Sequence, residues 1–184
     1  SYFGYKNDSA YHKLYLSIPD IPIKDDMIQP AVVWARVQNV ETPQLYPVFP
    51  WRMFGVWQES GVGKDSLRIA RNTYLNDAHA VKMRSIEGWK QDNIWAACLG
   101  LTEEAARMNV EKFANGPYRF PAFWNRGYDW SPDLNRGGAA MIGLQEMLLQ
   151  ESPLGETLIC PAWSKQWHVE FKLHSSKGVV IGGN

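Results

Sequence analysis

The sequence has little cysteine, no excess of either charge and no long apolar run, and each absence narrows the possible functions. Only two cysteines, Cys98 and Cys160, occur among 184 residues, in the apolar segments "WAACLGL" and "LICPAW" and without CxxC spacing. We therefore expect both to be small buried hydrophobic residues, and two cysteines do not decide the redox compartment.

The charges balance, because 19 basic residues oppose 19 acidic ones. A chain without net charge has no summed field that would attract nucleic acid or an anionic membrane. No run approaches the roughly 18 apolar residues of a membrane span, and no signal peptide is visible. We expect no nucleic-acid partner and no membrane partner.

Aromatic residues are abundant, at 13% of the chain, with nine Trp and eight Tyr. Aromatic surface commonly binds the apolar faces of sugars, whereas burial in a Trp-rich core is the alternative interpretation. The hydrophobic fraction of 45% is enough for a real core at this length. The chain begins with Ser1 rather than Met, from which we expect a fragment of a longer protein or a processed product.

Apolar spacing predicts a helical first part and short strands after it. The segment "VETPQLYPVFPWRMFG" has three prolines, at 43, 47 and 50, and is expected to be an ordered apolar loop or a short helix entry. Five helices are predicted: one that starts near Pro30, one over 65–81, one over about 89–99, one that starts at Thr102 and ends at Gly116, and one over about 137–150. In "WHVEFKLH" apolar and polar residues alternate, as in a half-buried strand, and "ETLICPAW" and "GVVIGG" are expected to be strands too.

The loop "YDWSPDLNRGG" places Asp133 just before the last predicted helix. Free backbone amides and the helix dipole at that position favour an ionised carboxylate, which suits a general base that activates water. The alternative is a helix cap, or an ion pair with Arg126 or Arg136. Asp129 is a competing carboxylate that the spacing does not distinguish.

Two other segments carry candidate groups. Asp92, in "WKQDN", is either a cap or a functional carboxylate, and Trp89, Gln91 and Asn93 beside it would supply hydrogen bonds to a sugar. Glu41, just before the proline-rich loop, is a further candidate. The four histidines form no metal-ligand spacing, and no Ser or Cys nucleophile motif occurs. We expect neither a metal nor a cofactor.

These motifs resemble glycoside hydrolase family 95, the inverting α-L-fucosidases and α-L-galactosidases. "DLNRGGAAMIGLQEMLLQ" is similar to the family's Asp-Gly-Asn-Phe-Gly-Gly motif and the "AEMLLQ" helix that follows it. "QLYPVFP" resembles its His-Leu-Tyr-Gly-Leu-Phe-Pro segment, and "GW" followed by "IWAACLG" resembles its Gly-Trp helix. The likeness extends from about Glu41 onward.

The resemblance implies a mainly α fold, with residues 1–152 as the C-terminal portion of an (α/α)6 barrel and residues 153–184 as the start of a β-domain. It implies an inverting hydrolase of α-linked, fucose-like or galactose-like sugars, with Asp133 as general base. The implied sugar-binding residues are Glu41, Trp89, Gln91, Asp92, Trp124, Asn125 and Asn135. The family's general acid is an upstream Glu, and nothing in this chain matches its motif.

The resemblance also implies a second segment or chain of the same parent protein as partner, and a secreted or periplasmic location. Gln44 and Glu41 stand where the family has histidines, and Leu134 and Arg136 depart from the Gly-rich motif, so a different α-linked sugar is an equal possibility. A noncatalytic carbohydrate-binding protein on the same fold is the second hypothesis. A purely structural helical scaffold is the third.

Overall fold

The computed structural model describes residues 8–34, 40–59, 63–114 and 134–183. The described part is mainly helical, as predicted, with short strand pairs. The helices are α1 (Asp8–Leu16), α2 (Lys64–Asn76), α3 (Ala78–Met83), α4 (Asp92–Cys98), α5 (Thr102–Phe113) and α6 (Leu134–Leu148). The strands are β1 (Ile23–Lys24), β2 (Met27–Ile28), β3 (Leu149–Glu151), β4 (Thr157–Ile159), β5 (Phe171–His174) and β6 (Val180–Gly183).

Helix α4 is the centre of the fold. Every residue of α4 is buried, and the helix packs against both α5 and α6. The turn between α4 and α5 is very short, and Gly100 adopts a φ of +68° there, which a residue with a side chain rarely tolerates. The predicted pair of helices joined at Gly100 is confirmed, although α4 begins three residues later than expected.

The apolar core is built around α4 from α2, α6 and the proline-rich loop. Its larger members include Ile28, Leu45, Phe54, Tyr74, Ile94, Trp95, Leu99 and Met147. The loop contributes through a 3-10 helix, Pro43–Leu45, in which Gln44 and Leu45 are fully buried. The expectation of an ordered apolar loop at this position is confirmed.

The prediction of a helix that starts near Pro30 is wrong for residues 30–34, which are not helical. Residues 35–39 lie outside the described residues. The preceding segment is a β1–β2 hairpin whose Ile28 N–H donates to the Thr73 hydroxyl at 2.8 Å. Val32 and Val33 are 82% and 86% exposed. The apolar residues of this segment recur at nearly helical spacing, but these side chains are exposed. No buried apolar face is therefore present to stabilise a helix at 30–34.

The single helix predicted over 65–81 is two helices, because the chain is extended at Asp77. The Asp77 carboxylate caps α3 by accepting a hydrogen bond from the Ala80 N–H at 2.8 Å. The break changes the direction of the buried face, so Ala80 is buried whereas Val81 is 46% exposed.

The strands form three antiparallel pairs within the described residues: β1–β2, β3–β4 and β5–β6. The predicted last helix ends at Leu148, and Leu149 pairs with Ile159 in β3–β4. The strand predicted from Trp167 begins at Phe171, although alternating burial already starts at Trp167. The predicted domain boundary after residue 152 falls between β3 and β4, and stays a prediction.

Candidate functional site

A small cleft lies between the loop before the 3-10 helix and the start of α4. Its lining residues are Glu41, Thr42, Tyr46, Trp89, Lys90, Gln91 and Trp95, and its volume is about 40 Å³. The two walls are more than forty positions apart in the sequence. Three residues predicted to bind sugar, Glu41, Trp89 and Gln91, therefore lie on one cavity.

The Glu41 wall is fixed to the break between α2 and α3. The buried Gln44 side chain donates to the Asp77 carboxylate at 2.7 Å, and a ring nitrogen of His79 lies 3.0 Å from the Glu41 carbonyl oxygen. Asp77 thus caps α3 and also positions the loop, so the loop conformation depends on the helix break.

Tyr46 orients the carboxylate of Glu41. Its hydroxyl donates a hydrogen bond to Glu41 Oε2 at 2.7 Å. Burial, together with this hydrogen bond and the negative charge of Glu41, raises the pKa of Tyr46 to about 12. Tyr46 therefore stays a donor at neutral pH and fixes the direction of Glu41.

Aromatic rings form the base and rim of the cleft. The ring centroids of Tyr46 and Trp95 are 6.3 Å apart at an interplanar angle of 43°. The indole N–H of Trp95 donates to the Phe49 carbonyl at 3.1 Å, which fixes the ring. Trp89 is 41% exposed at the rim. The exposed indole of Trp89 suits contact with the apolar face of a sugar ring, and the buried Trp95 supports the cleft from below.

Lys90 joins the two walls. Its ammonium donates to the Val40 carbonyl at 3.0 Å and to the Thr42 hydroxyl at 3.4 Å. The same ammonium is 3.5 Å from a carboxylate oxygen of Asp92. Lys90 is 8% exposed, so these interactions are shielded from bulk water.

Asp92 lies behind the cleft and does not line it. It is the first residue of α4 and is 1% exposed. One carboxylate oxygen faces Lys90 and the Ser85 N–H, and the other, Oδ1, accepts no hydrogen bond from a described residue. Burial raises the pKa of Asp92, and the Lys90 ammonium offsets part of that increase. Asp92 supports the wall through Lys90 rather than presenting its carboxylate to the cavity.

Gln91 offers an unused acceptor. Its Oε1 atom is shielded from solvent and accepts no hydrogen bond from the described part of the chain. A buried amide oxygen without a donor costs free energy, and Gln91 carries this unsatisfied acceptor behind the surface of the wall.

Three predicted site residues, Asp133, Trp124 and Asn125, lie outside the described residues, as does Asp129. Asn135 is exposed in the first turn of α6. The adjacent Arg136 ties this turn down by donating to the carbonyls of Ile86 at 3.3 Å and Glu111 at 3.1 Å. The start of α6 is therefore held against the segment that leads to Trp89.

Sequence reasoning missed Thr42, Tyr46, Lys90 and Trp95 as cleft residues. Tyr46 was within reach of prediction, since it lies in the "QLYPVFP" segment that carried the resemblance. No local sequence pattern identified Lys90, because its role depends on the Val40 carbonyl and the Thr42 hydroxyl, some fifty positions earlier.

The described residues contain no group of three or more His, Cys, Asp or Glu side chains close enough to hold a metal ion. Among the same residues, no helix has both the length and the apolarity needed to cross a bilayer. No model of a known protein family, no curated protein and no solved structure matches the chain.

Proposed function

We propose that the protein is a component of a glycoside hydrolase that removes α-linked, fucose-like or galactose-like sugars from a glycan or polysaccharide with inversion. In this proposal the cleft binds the sugar and Asp133 is the general base. The observation that carries the sugar-binding part is that Glu41, Trp89 and Gln91, chosen for their chemistry, line the same cavity.

The dimensions of the cleft indicate how a sugar would bind. A cavity of about 40 Å³ is far smaller than the roughly 300–1,000 Å³ of pockets that enclose a small molecule. It therefore suits one hydroxyl or hydroxymethyl group, which would donate to Glu41, while the exposed indole of Trp89 contacts the ring. Lys90 and Tyr46 would keep this acceptor in position.

The catalytic part rests on the resemblance of the segment that enters α6. In an inverting hydrolase the base and the acid are about 6.5–9.5 Å apart, with water between them. Asp133 would deprotonate that water, and a Glu from another segment or chain of the parent protein would protonate the leaving oxygen. The helices α4, α5 and α6 would then be part of an (α/α)6 barrel.

The test is the variant Asp133→Asn in the complete natural protein, with hydrolysis of aryl α-L-fucosides and α-galactosides as the readout. We expect turnover to fall by more than about a thousandfold while sugar binding persists, because only proton abstraction is lost. Asp65→Asn on the exposed face of α2 is the control for loss of a carboxylate. Unchanged turnover in Asp133→Asn would exclude Asp133 as the base.

A noncatalytic sugar-binding protein is the second candidate. The carboxylate that lines the cleft, Glu41, already accepts a hydrogen bond from Tyr46, an arrangement typical of a fixed acceptor rather than of a proton-transfer group. Binding of a sugar that weakens in Trp89→Ala, without hydrolysis by the complete protein, would favour this function over the first.

A further inference from the structure

A second and much larger cavity lies at the C-terminal end of α6. It has a volume of about 690 Å³, within the roughly 300–1,000 Å³ typical of small-molecule sites. It is bounded by the end of α6, by β3 and by β5. Its ionisable lining residues are Arg52, Glu146, Glu151, Lys172 and His174, and Ser152 and Ser176 add hydroxyl groups.

One end of this cavity is a buried ion pair. The Arg52 guanidinium contacts both oxygens of Glu146, with Nη1 3.2 Å from Oε2 and Nη2 paired with Oε1. The Glu146 side chain is 7% exposed, so its charge is compensated by Arg52 and not by water. This end of the cavity therefore carries no net charge.

The β5 wall of the cavity carries a cation, Lys172, that is not compensated in this way. Lys172 and His174 are exposed neighbours on one face of β5, and both line the cavity. Lys172 forms no ion pair with any carboxylate among the described residues. An anionic group of a ligand would complete the pairing of Lys172.

Glu151 supplies an acceptor between these two ends. Its Oε2 atom accepts a hydrogen bond from the Ser176 N–H at 2.8 Å, which ties β3 to the turn after β5. Its Oε1 atom is shielded from solvent and accepts no hydrogen bond from a described residue. A ligand hydroxyl does not reach the shielded Oε1 atom, but it can donate to Oε2, which accepts a second hydrogen bond on its other lone pair.

We propose that this cavity is a binding site for a small hydroxylated carboxylate of sugar-acid size. The carboxylate of the ligand pairs with Lys172 beside His174, and a ligand hydroxyl donates to Glu151. The proposal concerns a different cavity from the cleft and does not depend on hydrolysis.

The experiment titrates the complete protein with D-glucuronate and, separately, with D-glucose, its neutral counterpart, by calorimetry or by ligand-observed NMR. We expect saturable glucuronate binding with a Kd of roughly millimolar order, and glucose binding at least about fivefold weaker. Lys172→Gln should weaken glucuronate binding about five- to tenfold, because one charge-assisted contact is lost. Lys165→Gln removes an exposed lysine that does not line the cavity and should leave the affinity unchanged.

Two further variants locate the bound ligand. Glu151→Gln keeps the length of the side chain but removes its charge and should also weaken binding, whereas Trp89→Ala alters only the cleft and should not. Absence of saturable binding would overturn the proposal, as would equal affinities for Lys172→Gln and the unmodified protein. Loss of binding in Trp89→Ala alone would move the ligand to the cleft and would equally overturn it.

Discussion

Arg52 and Glu146 form a two-point ion pair although 94 positions separate them in the sequence. A carboxylate oxygen of Glu146 also lies 3.6 Å from the Cys98 sulfur, so the pair connects the proline-rich loop to α4 and α6. Burial raises the pKa of Glu146, and the hydrogen bonds and charge of Arg52 offset part of the increase. Cys98, one of the two cysteines predicted to be buried, is buried, and desolvation raises the pKa of its thiol. The prediction is wrong for Cys160, which is only partly buried.

Removing Arg52 should destabilise the protein. Arg52→Ala leaves the Glu146 carboxylate buried without its cation, which costs about 3–5 kcal/mol for a fully buried pair. The Arg52 side chain is 31% exposed, so water partly replaces it and we expect a loss of about 2–3 kcal/mol in urea unfolding. Glu146→Gln, which keeps the shape and removes the charge, should cost less. Equal unfolding free energies for Arg52→Ala and the unmodified protein would contradict the structural role of the pair.

Lys90 and Asp92 should be energetically coupled. Lys90→Met leaves Asp92 as an unpaired buried carboxylate, so we expect a loss of about 3 kcal/mol. Adding Asp92→Asn to that variant should restore part of the loss, and a double-mutant cycle should give a coupling of about 1–3 kcal/mol. Strictly additive effects of the two substitutions would show that the two side chains do not interact.

Asp92 should also make stability depend on pH. Its pKa is raised in the folded state, so between its ordinary pKa and its folded pKa the folded protein binds more protons than the unfolded chain. Stability contributed by Asp92 is therefore present at low pH and is lost as the pH rises from about 4 through the folded pKa. Asp92→Asn should reduce this fall in a series of urea unfolding curves at different pH. A slope identical to that of the unmodified protein would contradict the raised pKa.

Tyr46 should ionise at a higher pH than an ordinary tyrosine. Its pKa of about 12 keeps the phenol protonated well beyond the ordinary value of about 10. In NMR spectra of the protein labelled at tyrosine Cζ, the signal of Tyr46 is the one that is missing from Tyr46→Phe. At pH 10 this signal should keep the chemical shift of a neutral phenol. Ionisation of that signal near pH 10 would contradict the combined effect of burial and of the Glu41 hydrogen bond on the pKa of Tyr46.

Two glycines of α6 should respond oppositely to alanine. A methyl group at Gly143 would collide with the Asn93 amide and would lie 2.8 Å from the Asn109 oxygen, so Gly143→Ala should cost about 1–3 kcal/mol or more by overpacking. At Gly138 an added methyl group meets nothing within 4 Å, so Gly138→Ala should be neutral or stabilise the helix by up to about 1 kcal/mol. Thermal unfolding of both variants checks the pair, and destabilisation by Gly138→Ala equal to that by Gly143→Ala would contradict the packing.

The sequence by itself determined the mainly helical content, the turn at Gly100, the ordered proline-rich loop and the late strands. These features follow from local physics, since apolar spacing, glycine conformation and missing proline N–H groups act within a few residues. The same local reasoning selected Glu41, Trp89 and Gln91 for their chemistry.

Only the tertiary structure decided which of these groups meet. The helix break at Asp77 and the placement of Lys90 beside Thr42 involve partners 33 and 48 positions away. The large cavity depends on Arg52, Glu146 and Lys172, which share no sequence motif. Local patterns cannot encode such contacts, because burial and charge pairing between distant segments exist only once the chain has packed.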